Sequence, residues 1–301
     1  MTKKISLQCS LFIMDIKNAL RFASKKFSKK KLLSLSAHLD AEILLSYVFK
    51  KDKSFLHTYP EKKLNALQKK IFLRLVHRRL KYEPIAYITK EKEFYKRKFF
   101  VNKYVLIPRP ETECAVEEAI QALKNISKNN KNITIADIGT GSGAIAITLV
   151  KELKNVKILA TDISKKALRV AKTNSDAYGA NIHFYQGNLI EPIKNKKIDI
   201  LVANLPYLDA FENHIYGKIL KLEPKIALFA KEKGLKAYKD LFLQMKKYSF
   251  YPKIVICEIG HKQNVLLKKY IKKIIPRYQV VFKKDLSLRL RIAVMKKTSS
   301  R

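Results

Sequence analysis

The segment Asp137-Ile138-Gly139-Thr140-Gly141-Ser142-Gly143 decides how the chain folds. It closes the apolar, β-branched run Thr134 to Asp137 and opens onto a helix-forming run from Ala144, so its glycines lie where a strand turns into a helix. There the backbone must bend tightly and approach a ligand closely. Downstream the pattern alternates: strand Lys157 to Asp162, helix Lys165 to Tyr178, strands Ile182 to Gln186 and Asp199 to Asn204, a helix from Leu235, then strand Ile254 to Glu258. Alternation of this kind predicts an α/β fold with a mostly parallel sheet covered by helices on both faces. Gln279 to Phe282 and Arg289 to Met295, joined by a short basic turn, read as a final antiparallel pair.

Upstream the first ninety residues read as helices. Leu39, Ile43, Leu44, Leu45 and Val48 recur at helical spacing after Ser36, a suitable N-cap. Leu64, Leu67, Ile71 and Leu75 do the same in the next helix, which should end near Tyr82 because Pro84 pushes Glu83 away from helical angles. Both stripes read as core. From Phe94 to Ile107 the pattern turns aromatic and β-branched around Lys96-Arg97-Lys98, which suggests a hairpin. The expected organisation is a helical domain over residues 1–92, a hairpin connector over 93–113 and an α/β domain over 114–301. The Lys/Asn-rich stretch Asn125 to Asn132 reads as a solvated loop.

The 301 residues are 47% apolar, ample for a buried core. No apolar run reaches the length of about eighteen residues that a membrane span needs. Lys3-Lys4 and the apolar residues after them lack a small-residue cleavage site and read as the lead-in to a helix. Cys9, Cys114 and Cys257 are odd in number and widely spaced, which offers neither a disulfide framework nor a metal site and fits a reducing cytoplasm. The formal charge of +38 rests on 52 Lys against 11 Arg. Base and phosphate recognition favours the bidentate Arg fork, so this bias reads first as compositional, although nucleic-acid contact stays open.

A glycine loop of this kind serves either a dinucleotide, with Ala144 in the last glycine's place, or S-adenosyl-L-methionine. Asp162, nineteen positions past Gly143, suits both, since its carboxylate can accept from two ribose hydroxyls; it could instead cap the helix beginning at Ser164. Asp137 could accept from a ligand amino group or bond loop amides. Asn188 and Leu189, after the third strand, can meet an adenine edge and face, or Asn188 can simply cap a turn. The fourth strand separates the two cofactors. It ends in Asn204-Leu205-Pro206-Tyr207, for which a nicotinamide enzyme has no use.

An Asn followed by a rigid Pro-Tyr corner presents two acceptors to one small space, which suits the two hydrogens of a planar NH2 group. Methyl transfer to such a group needs placement on the sulfonium axis more than a tuned base, and the six His form no catalytic pattern. The roles that follow are Asn204 side-chain oxygen accepting one N–H, the Leu205 or Pro206 carbonyl accepting the other, and Tyr207 packing against the acceptor plane. An ordinary Asx-turn closing a strand is the alternative.

Several further segments resemble the HemK/PrmC family of glutamine N5-methyltransferases: Leu39-Asp40-Ala41-Glu42, Glu83-Pro84-Ile85-Ala86-Tyr87-Ile88, Ile107-Pro108-Arg109-Pro110-Glu111-Thr112-Glu113, Glu223-Pro224, Gly234-Leu235, and Glu258-Ile259-Gly260 with Gln263. The resemblance implies a class I S-adenosylmethionine-dependent, Rossmann-like domain with a seven-stranded, mostly parallel sheet, preceded by a small helical domain that recognises a protein substrate. It implies that residues 139 to 143, Asp162, Leu189 and Asn204 bind S-adenosyl-L-methionine and that 204 to 207 bind the glutamine of the Gly-Gly-Gln motif in peptide chain release factors. Two departures stand out. Leu205 occupies a position where the family usually has Pro and matches the Asn-Leu-Pro-Tyr of ribosomal RNA adenine dimethylases, and Ala230-Lys231-Glu232-Lys233 replaces a glycine-rich stretch. Rival expectations are a ribosomal-protein glutamine methyltransferase, an RNA adenine methyltransferase, whose domain order would be reversed, and a catalytically silent RNA- or ribosome-binding scaffold.

Overall fold

A computed structural model describes residues 14–30, 37–126, 133–209, 211, 220 and 222–298. Ser36, the start of the chain and most of the Asn125-to-Asn132 loop lie outside them. The chain divides into two compact units, Met1–Lys90 and Glu91–Arg301.

The first unit is helical: α1 (Ile16–Lys29), α2 (Ala37–Phe49), α3 (Lys53–Thr58), α4 (Ala66–Leu80) and α5 (Ile85–Thr89). Asp15, Asp52 and Asn65 cap α1, α3 and α4, Asn65 through a capping box with Gln68. Its core joins Ile16, Phe27, Leu44, Leu45, Phe72 and Leu75. The expected stripe on α4 is partly wrong: Leu67 is 66% exposed, because the buried face runs through Phe72, Leu75, Val76 and Arg79 instead. Arg79 pairs with Asp40 at 2.8 Å, both buried, and Arg78 grips Glu83 with two bonds of 2.7 and 2.5 Å. Helix α4 ends short of Tyr82, which takes φ 68°, and Pro84 then starts α5.

The second unit opens with a hairpin, β1 (Glu91–Phe94) and β2 (Arg97–Phe100), whose turn falls at Tyr95 and Lys96, both left-handed. It begins earlier and is shorter than the aromatic run suggested. After α6 (Glu113–Ile126) come β3 (Ile133–Ile138), α7 (Ala144–Glu152), β4 (Val156–Asp162), α8 (Lys165–Ala177), β5 (Ile182–Gln186), β6 (Ile200–Ala203) and β7 (Leu208–Asp209). The chain continues through α9 (Lys225–Leu228), β8 (Phe229–Ala230), α10 (Lys236–Lys247), β9 (Ile254–Glu258), α11 (Asn264–Ile274), β10 (Tyr278–Lys284) and β11 (Leu290–Lys297).

Seven strands form one sheet in the order β10-β11-β9-β6-β3-β4-β5. The five from β9 to β5 are parallel, and β11 is antiparallel to both neighbours. Alternate residues serve opposite faces. Ile135, Ile200, Val202 and Ile256 pack with α6 and α7, whereas Ala136, Leu201, Ala203 and Cys257 pack with α10 and α11. The chain leaves β3 for β4 and β5, then returns to place β6 on the other side of β3. The order thus reverses beside β3, where ligands of open α/β sheets bind at the strand ends. Among the described residues no helix is long and apolar enough to cross a membrane.

Candidate active site

A cavity of about 260 Å³ opens at that reversal, over the carboxyl ends of β3, β4 and β6. Gly139, Thr140, Gly141, Ser142, Asp162, Asn188, Leu189, Asn204, Leu205 and Pro206, all expected at the site, line it. Two others do not. Gly143 lies behind the loop as the first residue of the helical turn, and Tyr207 stands behind the acceptor corner.

The glycine loop is built for close approach. Gly139 has φ 76°, and a Cβ there would sit 3.0 Å from Leu205 Cδ2, so the loop and the corner pack with no room for a side chain between them. A Cβ on Gly141 would meet nothing nearer than the Gly139 carbonyl at 4.0 Å, so the space over it is open to a ligand. The Gly139 and Thr140 amides both donate to Thr161 O, and the Asn174 amide donates to Ser142 O at 2.8 Å. The same Asn174 exchanges bonds with both backbone groups of Phe100, tying the hairpin to the loop.

Asp162 does more than its sequence position suggested. Its Oδ2 accepts from Gly141 N at 2.9 Å and its Oδ1 from Ser164 N at 2.8 Å, while Ser164 itself caps α8. Each carboxylate oxygen keeps lone-pair capacity toward the cavity. Burial raises its pKa, against the pull of the Ser164 and Gly141 amides. The loop, the carboxylate and the open space over Gly141 therefore fit the ribose and methionine ends of S-adenosyl-L-methionine. Leu189 holds a left-handed φ of 54°, its carbonyl accepting from the Thr161 hydroxyl, and with exposed Asn188 it borders the same space. Asp137 is different: it is fully buried beneath the loop, where Thr140 Oγ1 donates to it at 2.6 Å, and burial pushes its carboxyl up to about 7.

At the corner, Asn204 Nδ2 donates to Thr112 Oγ1 at 2.9 Å. Glu258 beside it is fully buried, its carboxyl raised by burial against the pull of Thr112 and Tyr207, and Tyr207 donates its hydroxyl to Glu258 Oε1 at 3.0 Å. The Asn204 amide is thus oriented by its bond to Thr112. With Nδ2 so committed, the atom Asn204 offers to the cavity is Oδ1. Tyr207 is held by Glu258 rather than left to pack freely, and burial with the neighbouring Glu258 drives its phenol well above its usual range. Gln263 Nε2 donates to Tyr207 O at 2.7 Å and to Lys233 O at 2.8 Å.

The segments that carried the resemblance meet here. Glu223, buried, accepts from Ile107 N at 3.0 Å and from Arg109 at 2.5 Å, which joins the Ile107-to-Glu113 segment to Glu223-Pro224. The replaced glycine-rich stretch keeps glycine-like backbone: Glu232 and Lys233 both have φ 56° and Gly234 has φ 80°. A Cβ on Gly234 would lie 2.0 Å from Tyr207 O. The roles of Thr112, Asn174, Glu223 and Gln263 escaped the sequence. Three of them were visible only as members of family segments.

Two family models match, the PrmC N-terminal domain over residues 18–89 and the methyltransferase small domain over 115–222. The release factor glutamine methyltransferase of Coxiella burnetii is 39% identical over 252 residues, covering 83% of this chain and 88% of its own. The chain belongs to the release factor glutamine methyltransferase family. The bifunctional methyltransferase of Rickettsia felis is 38% identical over 276 residues, 83% of this chain, and the chain spans about half of that relative's length, 52%. Among solved structures, the hMettl16 catalytic domain in complex with MAT2A 3'UTR hairpin 1 superposes with a TM-score of 0.52 at 15% identity, covering 85% of this chain and 91% of its own. That likeness establishes the fold alone, the class I methyltransferase fold.

Proposed function

We propose that the chain methylates the side-chain amide nitrogen of the Gly-Gly-Gln glutamine in peptide chain release factors. The observation that carries this reading is the Asn204 amide, locked by Thr112 at 2.9 Å so that an acceptor faces the cavity beside the glycine loop. Residues 139 to 142, Asp162, Asn188, Leu189 and Asn204 are assigned to S-adenosyl-L-methionine, which supplies an electrophilic sulfonium methyl when bound. Asn204 Oδ1 and the Leu205 or Pro206 carbonyl hold the two amide hydrogens, and this aims the nitrogen lone pair along the transfer axis. Tyr207 braces the corner through Glu258. The amide nitrogen becomes strongly acidic once methylated and sheds its proton to water or a nearby carbonyl, so no histidine base is required. The helical domain before residue 92 is assigned recognition of the release factor, with the hairpin as connector, and the cytoplasm is the compartment where such a substrate is met.

An assay offering purified release factor and labelled methyl donor tests the reading. Label should appear on wild-type release factor and vanish when the Gly-Gly-Gln glutamine is changed to alanine. Methylation that survives that change, or label on a ribosomal protein or RNA with none on release factor, would overturn it.

A further inference from the structure

Leu205 carries a backbone N–H that a proline at this position would lack. That N–H donates to the Tyr238 hydroxyl at 3.1 Å. Tyr238 is fully buried on the first turn of α10, and its hydroxyl donates in turn to Glu258 O, with Ala203 O at 3.4 Å as a second neighbour. Ala203 and Cys257 are the last paired residues of β6 and β9. The hydroxyl therefore fills the point at which these two strands part, and it takes the place of the ladder bond that Leu205 N–H would otherwise make with Glu258 O. Without it, a donor and an acceptor would be left unpaired in a water-free core beside the corner.

We infer that Tyr238 is a positioning residue for the acceptor corner, substituting by hydrogen bonding for the rigidity that a second proline would supply. The inference rests on the proposed glutamine-methylating role of that corner. Leu205 is confined on its C-terminal side by Pro206 and on its side chain by Gly139, but its own φ is free to rotate. The Tyr238 bond fixes the plane of the Asn204–Leu205 peptide, and so the direction in which the next carbonyls point. Tyr238 touches neither donor nor acceptor; it reaches the corner through the Leu205 N–H and is itself anchored on Glu258 O.

A double-mutant cycle on the full chain tests this, with Tyr238→Phe, Leu205→Pro and the double variant assayed on release factor, and donor affinity measured by calorimetry. Tyr238→Phe should lower kcat by about tenfold with donor Kd within about twofold, because the loss lies in acceptor alignment. In the Leu205→Pro background the same change should cost less than about threefold, since no N–H remains to be satisfied. If Tyr238→Phe fails to fold and Leu205→Pro rescues it, the coupling is equally supported. An equal loss in both backgrounds, a parallel loss of donor affinity, or failure of both Tyr238→Phe proteins to fold would overturn the inference. Absence of release-factor methylation by the wild-type chain would instead overturn the functional reading itself.

Discussion

Asn204 and Thr112 lie ninety-two residues apart in the chain and 2.9 Å apart in space, with the asparagine amide donating to the threonine hydroxyl. This one bond joins the fourth-strand corner to the Ile107-to-Glu113 segment and decides which end of the amide meets a substrate. Beside it Tyr207 donates its hydroxyl to Glu258, a fully buried carboxyl raised by burial against the pull of Thr112 and Tyr207. Buried polar groups are costly when a partner is missing, and Glu258 Oε2 has none among the described residues.

Thr112→Val keeps the shape of the side chain and removes the hydroxyl. The Asn204 amide then loses the partner that orients it. The expected outcome is a fall in kcat of about tenfold or more, with donor Kd changed by less than about threefold. Steady-state kinetics alongside calorimetry check it; an equal loss of donor affinity would place Thr112 in cofactor binding instead.

Asn204→Ala removes the acceptor itself. Turnover should be abolished while S-adenosyl-L-methionine binding stays within about tenfold, because most of the contribution belongs to the transition state. Equal losses in both would mean that Asn204 mainly holds the cofactor.

Lys233 sits at φ 56° with an exposed side chain, and its carbonyl accepts from Gln263. A left-handed residue with a Cβ costs about 1–2 kcal/mol, of which glycine's greater unfolded freedom takes back about 0.5–1 kcal/mol. Lys233→Gly should therefore raise stability by about 0.5–1 kcal/mol, measured as an upward shift of the melting temperature. Glu232→Gly should give no such gain, because Glu232 also binds Lys239 at 2.8 Å and the Tyr270 hydroxyl at 3.0 Å. Those contacts show how a non-glycine residue is kept in a glycine conformation here.

The parallel strands were legible because each is a short apolar run bounded by polar or glycine residues, and all were placed within a residue or so of their ends. Helix α11 was not. Its start has no Ser, Thr, Asp or Asn cap, since Gln263 spends its side chain on Tyr207, Lys233 and Gly260. The line between loop and cofactor was readable from Gly139 and Asp162, which lie within one βαβ unit. Thr112, Asn174 and Tyr238 were not readable, because each acts on a partner 92, 74 or 33 residues away that only the sheet topology brings near. Leu205 stood out as a departure from the family's usual proline. Its spare N–H is satisfied by a tyrosine that local sequence gives no reason to connect with it.

Asp137 allows a test by pH. Its carboxyl is fully buried and pushed from 3.8 up to about 7, so the folded protein holds it protonated where the unfolded chain ionises it. The folded state is favoured by this group below the unfolded value, and that advantage is lost as pH rises toward 7. Asp137→Asn keeps an acceptor for the Thr140 hydroxyl and cannot ionise. Relative to wild type, the variant should therefore gain about 2–3 kcal/mol of unfolding free energy between pH 5 and pH 8. Denaturant unfolding of both proteins at the two pH values checks this, since carboxyls common to both cancel in the difference. A constant difference across that window would mean that Asp137 is ionised in the folded protein throughout, held so by Thr140 and the Ala146 amide.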